Sequence, residues 1–139
     1  MLVIDAATVA TQLNFPDLIA ALRRGFGAPF QMPQRQLFAL SDAPQSRDAY
    51  ALLPAWNEEV IATKAFTYFP DNGQHGLPTL FSKIMLFNRR TGEPLAMVDG
   101  TSVTYWRTAA VSALAAQFLA REDAQHLLLL GTGNLALPL

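Results

Sequence analysis

The most constraining feature of this chain is a glycine-rich turn near its C-terminus. Residues 127–130 are all leucines, and they lead directly into Gly131-Thr132-Gly133-Asn134-Leu135-Ala136. A short buried strand followed by Gly-x-Gly-x-x-Ala is typical of the opening of a dinucleotide-binding Rossmann unit. There the first glycine makes the tight turn, the second admits a pyrophosphate, and the small third residue lets a helix pack on the strand. We therefore expect residues 126–139 to be the start of a truncated Rossmann domain.

Composition narrows the class of protein. The 139 residues are long enough for one domain core, and with 51% hydrophobic and 15% charged residues they are more apolar than usual. This balance indicates surface that another domain or a second subunit covers. The net charge of −1 argues against nucleic acid and anionic membranes as partners. Cysteines are absent from the sequence, and the N-terminus has no leader-like pattern, so we expect a cytoplasmic protein without disulfides.

The order of elements predicts an α+β fold. Asp5 is a suitable cap for a short helix ending near Leu13, and Pro16 suits the first turn of a second helix ending at Gly25 or Gly27. Five short apolar or alternating segments, bounded by turn-forming residues, then predict a mostly antiparallel sheet. They are 36–40, 49–53, 60–69, 80–87 and 94–98.

One long alanine-rich helix is predicted after the sheet, at 104–120, with Thr101 or Ser102 as its cap. We expect its buried stripe to contain Val111, Leu114, Ala115, Phe118 and Leu119. Residues 1–125 would then form an α+β domain that leads into the Rossmann unit.

Two cations stand in unusual surroundings. On an alternating strand, Lys64 shares a face with Phe66 and Tyr68, so it either reaches solvent with its ammonium or binds an anion. Arg107 falls in the first turns of the predicted long helix, where a cation opposes the helix dipole. With Thr108 beside it, Arg107 suggests a carboxylate or phosphate site, and the alternative is a surface ion pair.

The segment 69–79 reads as a turn-rich loop between two strands. Thr79, at the start of the second strand, could offer its hydroxyl to a ligand, although loops of this composition commonly have no such role. Within the loop, His75 is expected to be solvated, because no carboxylate is fixed near it by spacing. The two histidines of the chain and the lack of cysteine give no metal-ligand pattern, so no metal is expected.

Taken together, these residues carry a family resemblance. In order along the chain stand Lys64, Pro70-x-Asn72, Gly76-Leu77-Pro78-Thr79, Thr91-Gly92-x-Pro94-Leu95-Ala96, Asp99-Gly100, Thr104-x-x-Arg107-Thr108-Ala109-Ala110 and Gly131-x-Gly133. This series resembles the ornithine cyclodeaminase/mu-crystallin family from about Arg35 onward. The most specific element is the Arg-Thr-Ala-Ala sequence some twenty-four residues before the Gly-x-Gly turn.

The resemblance implies a two-domain homodimeric enzyme. In this family the N-terminal domain, here residues 1–125, binds the substrate and builds the dimer, and a Rossmann domain binds NAD or NADP. Members interconvert imines and amines of α-amino acids by hydride transfer. The isolated chain, lacking most of the cofactor domain, is expected to be inactive.

Residue roles follow from the same resemblance. Arg35, Lys64 and Arg107 would surround the substrate carboxylate, Thr79 would add a hydroxyl, and Lys64 could also transfer a proton. The residues expected to face the cofactor phosphates are Thr108, Gly131, Thr132, Gly133, Asn134 and Ala136.

One departure from the family pattern bears on the substrate. Ornithine cyclodeaminases carry a glutamate three residues before the proline that is Pro54 here, and this chain has Ala51 in that place. The missing anion favours a cyclic ketimine acid, Δ1-pyrroline-2-carboxylate or Δ1-piperideine-2-carboxylate, over a diamine. A cyclodeaminase-type enzyme and a mu-crystallin-like, non-catalytic ligand carrier stay open as alternatives.

Overall fold

A computed structural model describes residues 1–43, 45–133 and 135–136. Within that part of the chain, six strands and three α-helices form a sheet with helices packed against it, which confirms the α+β fold. The strands are β1 (Leu2–Ile4), β2 (Gln36–Ala39), β3 (Ala49–Trp56), β4 (Val60–Tyr68), β5 (Leu80–Asn88) and β6 (Pro94–Asp99). The helices are α1 (Ala6–Gln12), α2 (Phe15–Gly27) and α3 (Gly100–Leu119), and a 3-10 turn spans Pro70–His75.

The sheet has the order β1-β6-β5-β4-β3-β2. All neighbouring pairs are antiparallel except β1 and β6, which run parallel, with Leu2 opposite Ala96. The five predicted strands are confirmed with shifts of a few residues at their ends. The sixth, β1, escaped the sequence analysis because three apolar residues are too few to show a period of two.

Asparagine and aspartate side chains start the first two helices, as the sequence predicts for α1. The Asp5 carboxylate accepts the Thr8 N–H at 2.8 Å. The Asn14 side chain accepts the Asp17 N–H at 3.0 Å, and Pro16 stands in the first turn of α2. Each of these bonds satisfies an N–H group that has no partner within the helix.

The long helix starts earlier than the sequence predicts. It begins at Gly100 rather than Thr104, and its cap is Asp99, whose carboxylate accepts the Ser102 N–H at 2.9 Å. Thr101, one of the two predicted caps, is inside the helix, and its hydroxyl accepts the Ser82 N–H of β5 at 3.1 Å. The first turn of α3 is therefore bound to the sheet through the Thr101 hydroxyl, which does not act as a helix cap.

The predicted buried stripe of α3 is correct in the middle of the helix and wrong at its end. Leu114 is buried, whereas Phe118 and Leu119 are 66% and 83% exposed. Near this end, α3 contacts α2 through Arg23, whose guanidinium lies 4.7 Å from the centre of the Phe118 ring and donates to Gln117. The Arg23 side chain thus covers only part of this end of α3, and much of the apolar surface of Phe118 and Leu119 stays exposed.

The predicted strand at 127–130 is not formed. These leucines have no ladder partner among the described residues, and Leu130 is 86% exposed. A strand is defined by hydrogen bonds to its neighbours, so an apolar sequence without a neighbouring strand cannot form one. Separately, none of the described helices has the length and apolar content needed to cross a membrane.

Pro54 lies inside β3, where a missing N–H would normally disrupt pairing. Trp56, two residues later, exchanges both backbone hydrogen bonds with Gln31, on the side of β3 away from β4. Because backbone groups alternate in direction along a strand, the Pro54 nitrogen faces that same side. The strand β2 pairs only as far as Leu52, so the proline falls where β3 has an open edge.

Gly100 lies so close to β5 that a larger residue should destabilise the fold. A Cβ at this position would meet Ser82 Oγ at 2.7 Å and the Ser82 carbonyl carbon at 3.1 Å. We expect Gly100→Ala to lower the free energy of unfolding by about 1–3 kcal/mol, measured by urea denaturation. Gly25→Ala is the control, because its Cβ would meet nothing within 4 Å and helical alanine should be neutral or stabilising. Equal stability of Gly100→Ala and the wild type would contradict the close contact.

Candidate functional site

Lys64 projects from the face of the sheet on which α3 packs. In the ladder it stands opposite Leu53 on β3 and Ile84 on β5, so these three side chains share one face. Ser82, which contacts the first turn of α3, belongs to the same face. We call this side of the sheet the helix face. The Lys64 ammonium therefore lies between the apolar side chains of Leu53 and Ile84 and the helix α3.

A chain of two short hydrogen bonds connects Lys64 to α3. The Lys64 ammonium donates to the Thr104 hydroxyl at 2.5 Å. That hydroxyl donates in turn to the Gly100 carbonyl oxygen at 2.6 Å. Lysine, threonine and the start of the helix are thus fixed relative to one another, which is the kind of preorganisation that binding a small anion requires.

Burial lowers the pKa of Lys64, and the nearby positive charge of Arg107 lowers it further. The two cations are therefore close enough to repel each other. Like charges held together without a carboxylate to neutralise them form a place where an anionic ligand is strongly favoured. Within the described residues, neither Lys64 nor Arg107 forms an ion pair. This observation favours the ligand interpretation of both residues over the surface ion pair considered for Arg107.

Arg107 is not at the N-terminus of its helix, contrary to the prediction. Because α3 begins at Gly100, Arg107 lies two turns further on, with an exposed side chain. Free N–H groups occur only in the first turn of a helix, so they cannot assist Arg107 in binding an anion. What this position offers to an anion is the Arg107 guanidinium itself, which is close enough to Lys64 to influence its pKa.

Thr108 is half-buried, and its hydroxyl donates to the Thr104 carbonyl oxygen at 2.6 Å. The hydroxyl proton of Thr108 is therefore engaged within the helix. Toward a ligand, the Thr108 hydroxyl can only accept a hydrogen bond. The assignment of Thr108 to the cofactor phosphates stays a prediction.

Arg35 lies at the rim of a neighbouring cleft. It precedes β2 and, with Leu53 and Pro54, lines a cavity of about 350 Å³. The cleft lies at the open edge of β3, and one of its lining residues, Leu53, is the cross-strand partner of Lys64. Arg35 is exposed, so it can turn toward a ligand held there.

Thr79 is set apart from the two cations. It precedes β5, and its carbonyl oxygen accepts the Phe69 N–H at 2.8 Å. Ile84, the partner of Lys64, is five residues further along, which corresponds to roughly 16 Å of strand. Among the described residues, no hydrogen bond connects Thr79 with Lys64 or Arg107. Its role in substrate binding stays a prediction.

The glycine-rich turn is partly described. Gly131 adopts a φ of +111°, a conformation that side chains rarely allow, and the Ala136 N–H donates to the Gly133 carbonyl at 2.8 Å. Thr132 is exposed, whereas Asn134 lies outside the described residues. The positive φ agrees with the tight turn that the motif requires. The cofactor contacts of these residues stay predictions.

Ala51 is the residue at which the sequence departs from the pattern of the ornithine cyclodeaminases. It is completely buried on β3, opposite Phe66 of β4 and Leu37 of β2. Because it lies two residues before Leu53, it is a diagonal neighbour of Lys64 on the helix face. A carboxylate here would be a short distance from the lysine, whereas alanine leaves the site without an anion.

Thr104 is the residue whose importance the sequence analysis overlooked. It appears in the Thr104-x-x-Arg107 pattern, but no role was assigned to it. Its spacing was the available signal, because residues three apart on a helix lie on one face.

Comparisons with known proteins show which proteins this chain is similar to. A sequence model described as the ornithine cyclodeaminase/mu-crystallin family matches residues 2–138. A Δ1-pyrroline-2-carboxylate reductase of Colwellia psychrerythraea is 64% identical over 98% of this chain, and the match covers 44% of that protein.

Two solved structures show the same architecture at 26% identity. One is a Thermococcus litoralis Δ1-pyrroline-2-carboxylate reductase in complex with NADH and L-proline, with a TM-score of 0.78 over 90% of this chain and 40% of that one. The other is an archaeal alanine dehydrogenase dimer with bound NAD, with a TM-score of 0.78 over 88% of this chain and 38% of that one. The chain thus spans less than half the length of the relatives it matches.

If Arg107 lowers the pKa of Lys64 through its charge, removing that charge should raise it. The chain contains only two lysines, Lys64 and Lys83, so protein labelled with 13C at lysine Cε gives two titrating NMR signals. We expect Arg107→Gln to move the Lys64 midpoint upward and to leave Lys83 unchanged. Arg121→Gln is the matched control, because Arg121 is exposed and pairs with Asp123. An unchanged Lys64 midpoint in Arg107→Gln would refute the coupling.

Proposed function

This chain belongs to the ornithine cyclodeaminase/mu-crystallin family, and on that premise we propose that it is the substrate-binding part of an NAD(P)H-dependent ketimine reductase. The proposed substrates are Δ1-pyrroline-2-carboxylate and Δ1-piperideine-2-carboxylate, reduced to proline and pipecolate. The observation that carries the proposal is the pair of unneutralised cations, Lys64 on β4 and Arg107 two turns into α3, whose charges repel each other.

The two cations hold the substrate carboxylate in this proposal. Lys64 is fixed by Thr104, while Arg107 is exposed and can form a two-pronged pair with a carboxylate. Arg35 adds a third positive charge from the adjacent cleft. Fixing the carboxylate fixes the neighbouring α-carbon as well, and this positioning supplies much of the rate acceleration.

The reaction needs a hydride at the α-carbon and a proton at the nitrogen. When bound, a reduced nicotinamide supplies the hydride, so the C=N bond is reduced and the cofactor is oxidised. Lys64 is the described group best placed to give the proton, because its ammonium lies at the site and burial weakens its hold on the proton. Gly131 and Gly133 would accommodate the cofactor pyrophosphate in their turn, with NAD or NADP as the cofactor.

Ala51 is the reason to prefer a ketimine acid to a diamine. A diamine amino acid carries a second ammonium group, and a site with two or three cations would repel it unless a carboxylate neutralised it. The fully buried Ala51 offers none on the helix face. A cyclodeaminase activity is therefore the less favoured alternative, and a ligand carrier without turnover would use the same cations. A cytoplasmic location stays part of the proposal.

Reductase activity can be tested in a chimera. Residues 1–133 are joined to the C-terminal part of the Colwellia psychrerythraea reductase, which is 64% identical over the shared region. We expect the chimera to oxidise NADH or NADPH with Δ1-pyrroline-2-carboxylate, and this chain alone to be inactive. Lys64→Ala and Arg107→Ala should each lower kcat/KM by on the order of a hundredfold or more, because each removes a charge from the carboxylate site.

Arg121→Gln serves as the control in the chimera, since it changes the same kind of charge outside the site. The unmodified Colwellia protein, assayed in parallel, verifies the substrate and the cofactor. A folded chimera that binds reduced cofactor but oxidises none would refute the reductase proposal. Activity with ornithine instead would favour the cyclodeaminase alternative.

We also propose that a second copy of the chain covers the sheet face opposite the helices. Ladder register places Phe38, Tyr50, Phe81, Met85 and Met97 together on that face. Phe81, on a central strand, is 48% exposed. The same face holds the Lys83–Asp99 ion pair, and exposed aromatic and methionine side chains among a few polar ones are typical of a protein interface. The related archaeal alanine dehydrogenase is a dimer, which supports the same arrangement here.

The dimer proposal predicts a mass of twice 15.2 kDa in sedimentation equilibrium. Phe81→Lys should shift the chain to the monomer, because it places a charge in the middle of the covered face. Leu119→Lys is the control, since Leu119 is an exposed apolar residue on α3, away from that face. Circular dichroism verifies that both variants fold. A wild-type monomer, or a Phe81→Lys dimer as tight as the wild type, would contradict the proposal.

A further inference from the structure

The hydroxyl of Thr104 has only one proton, and the structure shows where it goes. It is donated to the Gly100 carbonyl oxygen, one turn back along α3, at 2.6 Å. Toward Lys64 the oxygen therefore has only lone pairs available, and it accepts from the lysine nitrogen at 2.5 Å. A neutral amine in the same place could still donate, but a hydrogen bond from an ammonium is about twice as strong.

We propose that Thr104 is a positioning residue of this site, which holds Lys64 in its ammonium form and directs it toward the ligand beside Arg107. The proposal rests on the function proposed above and extends it to a residue with no role so far. Thr104 is suited to this role because helix geometry places it between the fixed start of α3 and Arg107. Gly100, Thr104 and Arg107 are four and three residues apart, and so they lie along one side of the helix.

The surroundings explain why such an acceptor is needed. Lys64 faces Leu53 and Ile84 across its two ladders, and neither side chain can accept a hydrogen bond. The helix contributes Arg107, a positive charge that disfavours a second one nearby. Both effects favour loss of the lysine proton, and the Thr104 oxygen opposes them. A site that must bind a carboxylate or donate a proton needs the lysine to stay charged until the ligand arrives.

The test reads the protonation state of Lys64 directly. With 13C-labelled lysine, the Cε signals of Lys64 and Lys83 are followed through pH in the wild type, Thr104→Val and Thr104→Ser. We expect the Lys64 midpoint in Thr104→Val to fall by about one pKa unit, because a hydrogen bond from a charged group is lost. Thr104→Ser keeps the hydroxyl and should titrate as the wild type does. Lys83, which pairs with Asp99, is the internal control and should not move.

Two results would overturn the proposal: an unchanged Lys64 midpoint in Thr104→Val, or an upward shift. The upward shift would mean that the Thr104 hydroxyl stabilises the neutral amine of Lys64 more than its ammonium form. Should Thr104→Val not fold, Thr104→Ala carries the same expectation. In the wild type, moreover, the Lys64 ammonium protons should exchange with water several-fold more slowly than those of free lysine. Exchange at the free-lysine rate would contradict the proposal without any variant.

This measurement separates the two proposals, since it needs neither cofactor nor turnover. A downward shift in Thr104→Val together with an inactive chimera would support the positioning role and refute the reductase. An active chimera with an unmoved Lys64 midpoint would support the reductase and refute the role of Thr104.

Discussion

The contact between Gly100 and β5 is the constraint on which the site depends. At this point the helix backbone lies so close to Ser82 that no side chain fits between them. Asp99 caps the same turn, and Thr101 binds the Ser82 backbone, so the first turn of α3 has one position and one rotation. Helix geometry then determines where Thr104 and Arg107 stand. Arg107, and the Thr104 hydroxyl that binds Lys64, are thus positioned by a packing contact several residues away along the helix.

Local signals in the sequence predicted most of the fold, and tertiary contacts decided the rest. The cap at Asp5, the proline in the first turn of α2 and the five longer strands follow from capping, backbone preference and alternation, which act over a few residues. The start of α3 was predicted one turn late, because three cap-forming residues stand close together and only the contact of Thr101 with Ser82 leaves the cap to Asp99. At residues 127–130 a strand was predicted that is not formed. The four leucines have the pattern of a buried strand, but a strand also needs a neighbour with which to pair.

The candidate site was predictable in its residue types and less so in its geometry. Lys64 and Arg107 attracted attention because each is a cation in apolar or helical surroundings, and the structure brings them together. The explanation offered for Arg107, a free helix N-terminus, was wrong since the helix begins two turns earlier. Thr104 carried no such anomaly in the sequence. Its importance follows from the direction of two hydrogen bonds, which no residue pattern encodes.

The parallel pairing of β1 with β6 has a consequence for how the chain acquires its fold during synthesis. Leu2 is made long before its partner Ala96, which emerges only after β2 to β5 are complete. Antiparallel neighbours can form as hairpins in the order of translation, whereas β1 must wait unpaired for a distant strand. The apolar strand β1 therefore stays unpaired during synthesis until β6 has been made, although it becomes an ordinary sheet edge afterwards.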